Sequence, residues 1–244
     1  MADIPVDLYF VLDSSDSMRK STTMLAGASK DITDKIQVLT SDYRLGFGSF
    51  IEKPRIPFTV GKTSTVYAFH HIMSLTQNST EFGEKVKNLT EKFQKNIDIP
   101  EAGLDAVAQA MLCPQIIGWK EDRKKIIILM TDAEMHFALD GILGGITDKF
   151  PMKMENGEWN CLLENGRYDL KQNDYDYPSF GQVISTMWFS TIRYMTIQYG
   201  YKLEATIPYY PLLSSKVFNS KEGVTMYFLI HCGHFSNKIA LLHF

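Results

Sequence analysis

Short apolar runs alternate along the chain with amphipathic segments, and the two clearest runs each end at an aspartate. Residues 6–12 form a run rich in aliphatic and β-branched side chains that stops at Asp13. A second run, residues 125–130, has no helical period and stops just before Asp132. Apolar runs with such abrupt polar ends are typical of central strands that are covered on both faces.

The segments between these runs have helical spacing. Amphipathic or apolar helices are predicted at residues 21–39, 80–93, 104–112 and 178–189, and further strands at 43–51 and 192–197. The pattern does not decide the secondary structure of residues 203–213, or whether residues 224–230 form a strand or a helix. It favours a weak helix around His70 and His71 and indicates long surface loops over 141–177. Strands that alternate with helices predict an α/β fold with a largely parallel sheet.

Composition excludes several classes of protein. The chain has 244 residues, 45% of them hydrophobic, with 25 Lys and Arg against 28 Asp and Glu. This profile predicts a globular protein, and a net charge of −3 opposes unspecific nucleic-acid binding. No apolar run approaches the roughly 20 residues of a membrane-spanning helix, so no membrane span is expected within this chain. Residues 1–5 lack the features of a signal peptide.

The aspartates at the strand ends provide the candidate chemistry. Ligands of an open parallel sheet bind beyond the carboxyl ends of its strands. Asp13, Ser15 and Ser17 form an Asp-x-Ser-x-Ser turn at such an end, and Asp132 and Glu101 supply further carboxylates. Mg²⁺ prefers six oxygen ligands, so one carboxylate and two hydroxyls form an incomplete set that leaves a coordination position open. The spacing does not match an EF-hand loop for Ca²⁺.

Two other interpretations of this turn stay open at the level of sequence. Serine and aspartate after a strand commonly cap the next helix, which needs no metal. Asp13 could also be the nucleophile of a phosphatase, although position 15 is a serine and therefore lacks the second acid that would act as general acid or base.

Several further motifs occur in a fixed order together with this turn. They are Asp13-x-Ser15-x-Ser17-Met18, residues 41–50, Asn96-x-Asp98-x-Pro100-Glu101-x-Gly103, Ile117-Gly118-Trp119, Thr131-Asp132-Ala133, Leu139-Asp140-Gly141 and Asp176-Tyr177-Pro178-Ser179. Together they resemble the I-like (von Willebrand factor A type) domain of integrin beta subunits. The resemblance implies a doubly wound, mostly parallel central sheet flanked by helices. It fades near residue 230, so we expect one domain over 1–230 and a diverged tail over 231–244.

The resemblance also implies two cation sites. The adhesion site would bind Mg²⁺ through Asp13, Ser15, Ser17 and Glu101, with Asp132 acting largely through water. An acidic side chain of an extracellular ligand would complete the coordination, so the expected function is that of an adhesion receptor domain and not of an enzyme. The adjacent site would bind Ca²⁺ through Glu52, Asn96, Asp98, the Pro100 carbonyl and Glu101, with Glu101 bridging both cations. A domain that has lost adhesion and binds partners without a metal is the alternative.

The chain departs from the family pattern at three places. Lys20 and Ser21 stand where a pair of acidic residues forms a third, regulatory cation site, which we therefore expect to be absent. The specificity loop is shortened to residues 59–65 and has no cysteine. Ile142 replaces the basic residue that inserts into the integrin alpha subunit, so docking to an alpha subunit is expected to be weakened.

Cysteines and glycosylation signals bear on the compartment. Three cysteines without C-x-x-C spacing allow at most one bridge and disfavour a zinc site. The resemblance implies a disulfide between Cys113 and Cys161, and hence a location on the extracellular side of the cell surface, whereas two unpaired thiols are the alternative. Cys232 has no counterpart in the family. Asn78 and Asn88 begin glycosylation sequons.

Overall fold

The computed structural model describes residues 4–54, 58, 66–89, 97, 100–138, 154–155, 158–159, 161–168, 177–199, 218–219 and 224–227, and the statements below concern these residues. The strands are β1 (Val6–Asp13), β2 (Tyr43–Phe50), β3 (Phe69–Thr76), β4 (Lys124–Thr131), β5 (Met154–Glu155), β6 (Glu158–Trp159), β7 (Arg167–Tyr168), β8 (Ile192–Tyr199), β9 (Phe218–Asn219) and β10 (Val224–Tyr227). The helices are α1 (Arg19–Leu39), α2 (Ser79–Leu89), α3 (Gly103–Leu112), α4 (Pro114–Ile117) and α5 (Phe180–Ser190), and a single 3₁₀ turn covers Asp16–Met18.

One mixed sheet organises these elements in the order β7-β3-β2-β1-β4-β8-β10-β9. The four central strands β2, β1, β4 and β8 are parallel, whereas β3 and β10 pair antiparallel on either side of them. The predicted α/β fold with a parallel central sheet is therefore confirmed. The register pairs Asp13 with Phe50 on β2, and Leu12 with Met130 on β4, so that Asp13 and Thr131 end neighbouring strands.

Helices cover both faces of the sheet, which explains why β1 reads as an uninterrupted apolar run. Tyr9 and Val11 belong to the core that α3 and α5 close, while alternate residues such as Phe10 belong to the core under α1 and α2. The helices contribute Leu104, Ala108, Val183 and Met187 on the first face and Leu25, Ile36, Phe82 and Val86 on the second. A strand that is buried on both faces cannot show polar alternation, as the sequence of β1 indicated.

The segment around His70 and His71 is strand β3, so the predicted weak helix is wrong. Pairing with β2 overrides local preference here, and register shifts in that pairing interrupt the alternation by which a strand is recognised. The two strands approach closely, since a Cβ on Gly48 would lie 2.7 Å from the His70 carbonyl oxygen. His71 also bonds to the sheet interior through Nδ1, which lies 2.7 Å from the Tyr9 hydroxyl.

The prediction of surface loops over 141–177 is wrong at residues 154–155, 158–159, 167–168 and 177, whereas the described residues 161–166 lie outside the named strands and helices. β5 pairs with β6, and β7 extends the sheet by pairing with β3. Tyr168 is buried on β7, and Tyr177 is fully buried in the core. Glycine-rich, polar sequence concealed these contacts because two-residue strands carry no measurable period.

The remaining predictions concern the later part of the chain. Residues 224–227 form a strand, whereas residues 203–213 and the tail at 231–244 lie outside the described residues. The helix predicted at 80–93 is described as far as Leu89. Among the described residues, no helix combines the length and apolarity that crossing a bilayer requires.

A disulfide joins Cys113 and Cys161, as the family resemblance implied, and the alternative of two free thiols is wrong. Cys113 is the residue that follows α3, and Cys161 lies in the segment that leads to β7. The bridge therefore fixes the carboxyl-terminal end of α3 to the segment before an edge strand of the sheet.

The amino end of the sheet is held by a buried ion network centred on Asp7. The Asp7 carboxylate accepts from Arg44 Nε at 2.8 Å and from Arg123 Nε at 2.6 Å. Arg123 also donates to Asp42 Oδ2 at 2.8 Å, and Arg44 donates to the Gly118 carbonyl oxygen at 2.9 Å. Asp7 is fully buried and is the carboxylate that both guanidiniums share, while Arg123 has Asp42 as a second anionic partner.

We expect Asp7→Asn to lower the free energy of unfolding by about 3 kcal/mol, because it leaves two largely buried guanidiniums without their shared anion. Urea denaturation followed by circular dichroism measures the change. Lys85→Gln is the matched control, since it removes a half-exposed ion pair with Glu81 and should change stability by less than about 0.5 kcal/mol. Equal effects of the two substitutions would contradict the importance of the buried network.

Candidate metal centre at the carboxyl end of the sheet

Three acidic side chains follow the ends of three neighbouring strands. Asp13 is the last residue of β1, Glu52 comes two residues after β2, and Asp132 directly follows β4. β2, β1 and β4 are adjacent and parallel, so their carboxyl ends meet at one edge of the sheet. The topology therefore places these carboxylates where ligands of doubly wound folds bind.

Asp13 is the buried centre of this edge. Its Oδ1 accepts a hydrogen bond from the Ser15 amide at 2.7 Å, and its Oδ2 accepts one from the Thr131 hydroxyl at 2.7 Å. Burial raises the pKa of the Asp13 carboxyl to about 6, although the hydrogen bonds from Ser15 and Thr131 lower it. The nearby charge of Asp132 adds to the increase. Neutral donors thus hold a carboxylate whose negative charge is poorly solvated.

The two serines link Asp13 to Asp132. Ser17 donates its hydroxyl proton to Asp132 Oδ1 at 3.0 Å, and the Ser15 and Ser17 hydroxyl oxygens lie 3.0 Å apart. Since the single proton of Ser17 is directed at Asp132, Ser15 is the donor in the bond between the serines. The pKa of the Asp132 carboxyl is also raised, because the effect of burial exceeds the opposing effect of the hydrogen bond from Ser17.

The interpretation of the Asp-x-Ser-x-Ser turn as a helix cap is wrong. Helix α1 begins at Arg19 with Met18 as its N-cap residue, and no side chain caps it. Ser15 precedes the short 3₁₀ turn and makes no capping bond with its side chain either. The serine hydroxyls instead bond to each other and to Asp132, which follows the neighbouring strand β4, so the turn links the carboxyl ends of β1 and β4.

Glu101 lies between the segments that follow β2 and β4, because backbone hydrogen bonds fix it from both sides. Its amide donates to the Glu134 carbonyl oxygen at 2.8 Å, and its own carbonyl accepts from the His136 amide at 3.0 Å. The next amide, that of Ala102, donates to the Ile51 carbonyl oxygen at 2.9 Å. The segments after β2 and β4 thus hold Glu101 between them, two residues before α3, and its side chain is buried.

Glu52 belongs to a fully buried polar cluster that the sequence interpretation did not anticipate. Its carboxylate accepts from the Tyr177 hydroxyl and lies 3.5 Å from His136 Nε2. Beside it, Lys53 Nζ lies 3.3 Å from Asp105 Oδ1 and 4.2 Å from the centre of the Tyr177 ring. A lysine directly after a buried strand was the available signal, but its partners come from distant segments.

Buried negative charge exceeds buried positive charge at this edge. Asp13, Glu52, Glu101 and Asp105 are buried, and Lys53 is the buried ammonium that the described residues place among them. Such an excess is unfavourable in a low-dielectric environment unless cations or protons compensate it.

The structure describes some of the other predicted site residues. Pro100 is buried next to Glu101, whereas Asn96, Asp98, residues 59–65, Ile142 and Cys232 lie outside the described residues. Lys20 and Ser21 lie in the first turn of α1. Within the described ranges, no group of three or more His, Cys, Asp or Glu side chains is arranged to hold a metal ion. The structure therefore brings Asp13, Ser15, Ser17 and Asp132 together.

Comparison with known proteins gives a consistent family. Residues 1–198 match the family described as the integrin beta chain VWA domain. Integrin beta pat-3 of Caenorhabditis elegans is 36% identical over 188 residues, which are 72% of this chain and 22% of that protein. Human integrin beta-6 is 34% identical over 199 residues, which are 76% of this chain and 24% of that protein.

Among solved structures, the pilus adhesin SpaC from Lactobacillus rhamnosus GG aligns with 80% of this chain and 25% of its own chain, at 13% identity and a TM-score of 0.42.

The matched part of this chain corresponds to about a quarter of the length of its integrin relatives. The family match covers most of the chain and agrees with the doubly wound sheet and the disulfide. The chain therefore belongs to the integrin beta VWA domain family.

Proposed function

We propose that this chain is a metal-dependent cell-adhesion domain, which binds an acidic residue of an extracellular protein through Mg²⁺ at the carboxyl end of the sheet. The observation that supports it best is the buried Asp13 carboxylate, linked through Ser15 and Ser17 to Asp132. Family membership supports the same function, since the chain matches integrin beta chains.

The chemistry of the donors fits a small hard cation. Asp13, Ser15, Ser17 and Glu101 would hold Mg²⁺, and Asp132 would act through water. All of them offer oxygen, the ligand that Mg²⁺ prefers, and the excess of buried carboxylates favours a cation electrostatically. When bound, Mg²⁺ would supply a Lewis-acidic position for the carboxylate of the ligand. If each of these four direct donors supplies one oxygen, they would leave two of the six positions that Mg²⁺ prefers for water or for the ligand carboxylate.

A second cation, Ca²⁺, would lie beside the first, held by Glu52, Asn96, Asp98, the Pro100 carbonyl and Glu101. Glu52 supports this proposal because it is buried at the correct edge and follows the neighbouring strand β2. Its bonds with Tyr177 and His136 provide an alternative for the carboxylate, so Ca²⁺ would compete with these two side chains.

The proposed partners are an integrin alpha subunit and an extracellular protein, and the proposed location is the outside of the cell surface. Ile142 would weaken docking to the alpha subunit, and the absence of acidic residues at Lys20 and Ser21 would remove the regulatory cation site. The disulfide fits an oxidising compartment. Asn78, directly before α2, and Asn88, near the end of α2, are both exposed, so both asparagine side chains are accessible for glycosylation.

The second candidate function is a protein-interaction or structural domain that binds partners without a metal. The hydrogen bonds of Ser15 and Ser17 favour it, because these hydroxyls have protein partners without any cation. A nucleophilic role for Asp13 is a third possibility, and it predicts turnover of a generic phosphate ester. Cation titration and a turnover assay separate the three.

We expect calorimetric titration with Mg²⁺ to show saturable binding at millimolar or lower concentration, and Asp13→Ala to abolish it, because Asp13 is the central carboxylate of the site. Asp16→Ala is the matched control. It removes an exposed carboxylate from the same turn, one that pairs with Arg19, and should leave binding unchanged. Absence of binding, or binding that survives Asp13→Ala, would favour the metal-free alternative.

The raised pKa of Asp13 predicts competition between protons and Mg²⁺. Binding requires the ionised carboxylate, so the apparent affinity should fall about tenfold per pH unit below pH 6 and level off above it. In EDTA, without bound Mg²⁺, stability should follow the opposite trend with pH from that of Mg²⁺ affinity. Because the folded-state pKa lies above the unfolded value of 3.8, the contribution of Asp13 to stability is lost as pH rises from about 4 to about 6. Asp13→Asn should remove both trends, and Asp16→Asn neither.

Ligand chemistry can be tested with paired peptides. We expect some members of a library of short peptides with one central aspartate to bind the Mg²⁺-loaded protein in surface plasmon resonance. Their asparagine counterparts should bind at least about tenfold more weakly, because an amide replaces the charged oxygen. EDTA should abolish the difference between the pairs. Equal binding of aspartate and asparagine peptides would contradict a ligand carboxylate.

A further inference from the structure

We propose that Thr131 is a positioning residue for Mg²⁺ binding, because its hydroxyl holds the Asp13 carboxylate in the orientation that the cation requires. This inference rests on the proposed function of the site. Thr131 is not among the residues that the family resemblance assigns to a cation. It would act through Asp13, with no direct contact to the metal.

The contact geometry supports a dedicated role. Thr131 is the last residue of β4 and is almost fully buried. Its hydroxyl donates to Asp13 Oδ2 at 2.7 Å and accepts from the Ala133 amide at 3.1 Å. The donor capacity of the hydroxyl is thus used on Asp13, and the bond from Ala133 fixes the oxygen from the other side. A hydroxyl held in this way has little freedom to turn elsewhere.

The bond also closes a ring that contains both carboxylates. Thr131 is covalently followed by Asp132, which accepts from Ser17. Ser17 contacts Ser15, whose amide donates to Asp13, and Asp13 in turn accepts from Thr131. Thr131 is therefore the one hydrogen-bonding side chain in this ring that joins β1 directly to β4 and is not itself a predicted ligand.

Repulsion between the carboxylates adds to the need for this restraint. Asp13 and Asp132 are joined through Ser15 and Ser17, so their like charges repel each other when both are ionised. Without the Thr131 hydroxyl, the Asp13 carboxylate could reduce this repulsion by rotating about its side-chain bonds. The cation would then have to restore the orientation at a cost in binding free energy. Burial of Asp13 rules out water as an efficient substitute for the lost donor.

The experiment compares three variants by calorimetric titration with Mg²⁺ and by thermal unfolding in EDTA. Thr131→Val keeps the shape but removes the hydroxyl, and should weaken Mg²⁺ binding at least about tenfold, as expected for a lost hydrogen bond to a charged group. Thr131→Ser keeps the hydroxyl and should restore binding. Thr40→Val, the control, removes a buried hydroxyl that donates to the Ile4 carbonyl oxygen at the opposite end of the sheet. It should lower only the unfolding temperature.

The outcomes distinguish this inference from the proposed function. If the unsubstituted protein binds Mg²⁺ and Thr131→Val binds equally well, positioning by Thr131 is overturned while the metal site stands. If the unsubstituted protein binds no Mg²⁺, both are overturned. Should Thr131→Val fail to fold, Thr131→Ala is compared with Thr131→Ser, and equal affinities of these two variants would overturn the inference. A loss of affinity in Thr40→Val as large as that in Thr131→Val would overturn it as well.

Discussion

Burial of a carboxylate at the end of the central strand is the constraint on which this domain depends. Asp13 ends β1 inside the protein, where its charge is poorly solvated, and the neighbouring elements supply its hydrogen-bond donors. The parallel register with β4 brings the Thr131 hydroxyl to one oxygen, and the turn after β1 brings the Ser15 amide to the other. The same turn carries the serines that reach Asp132. Fold and candidate chemistry therefore share one set of contacts.

The two ends of β1 each carry a buried aspartate, and the groups that contact the two carboxylates differ in charge. Asp7, at the amino end, is compensated by the guanidiniums of Arg44 and Arg123 and is therefore neutralised permanently. Asp13, at the carboxyl end, receives bonds from a neutral hydroxyl and an amide, which orient its charge without cancelling it. The first arrangement stabilises the sheet, and the second leaves an attraction for a cation from solution. One strand thus separates a structural end from an end suited to binding.

Sequence patterns predicted those features of the structure that depend on residues close to one another in the sequence. The abrupt ends of two apolar runs pointed to Asp13 and Asp132, Glu101 was added as a further carboxylate, and the family motifs added the disulfide. Strand β3 was missed because its pairing with β2 is irregular and its two histidines have no strong local preference. Tyr177 was not assigned to the cluster around Glu52, because that contact joins segments 125 residues apart. Contacts of this kind depend on how the chain folds back on itself, which local periodicity does not report.

Helix α3 couples two features that lie at its opposite ends. Glu101 stands two residues before its first residue, and Cys113, which is bridged to Cys161, directly follows its last residue. Ten residues of helix span about 15 Å and behave as a short rigid rod. An axial shift of this rod would therefore have to displace Glu101 and the segment leading to the edge strand β7 at the same time. The disulfide would therefore restrict how far Glu101 and the start of α3 can move.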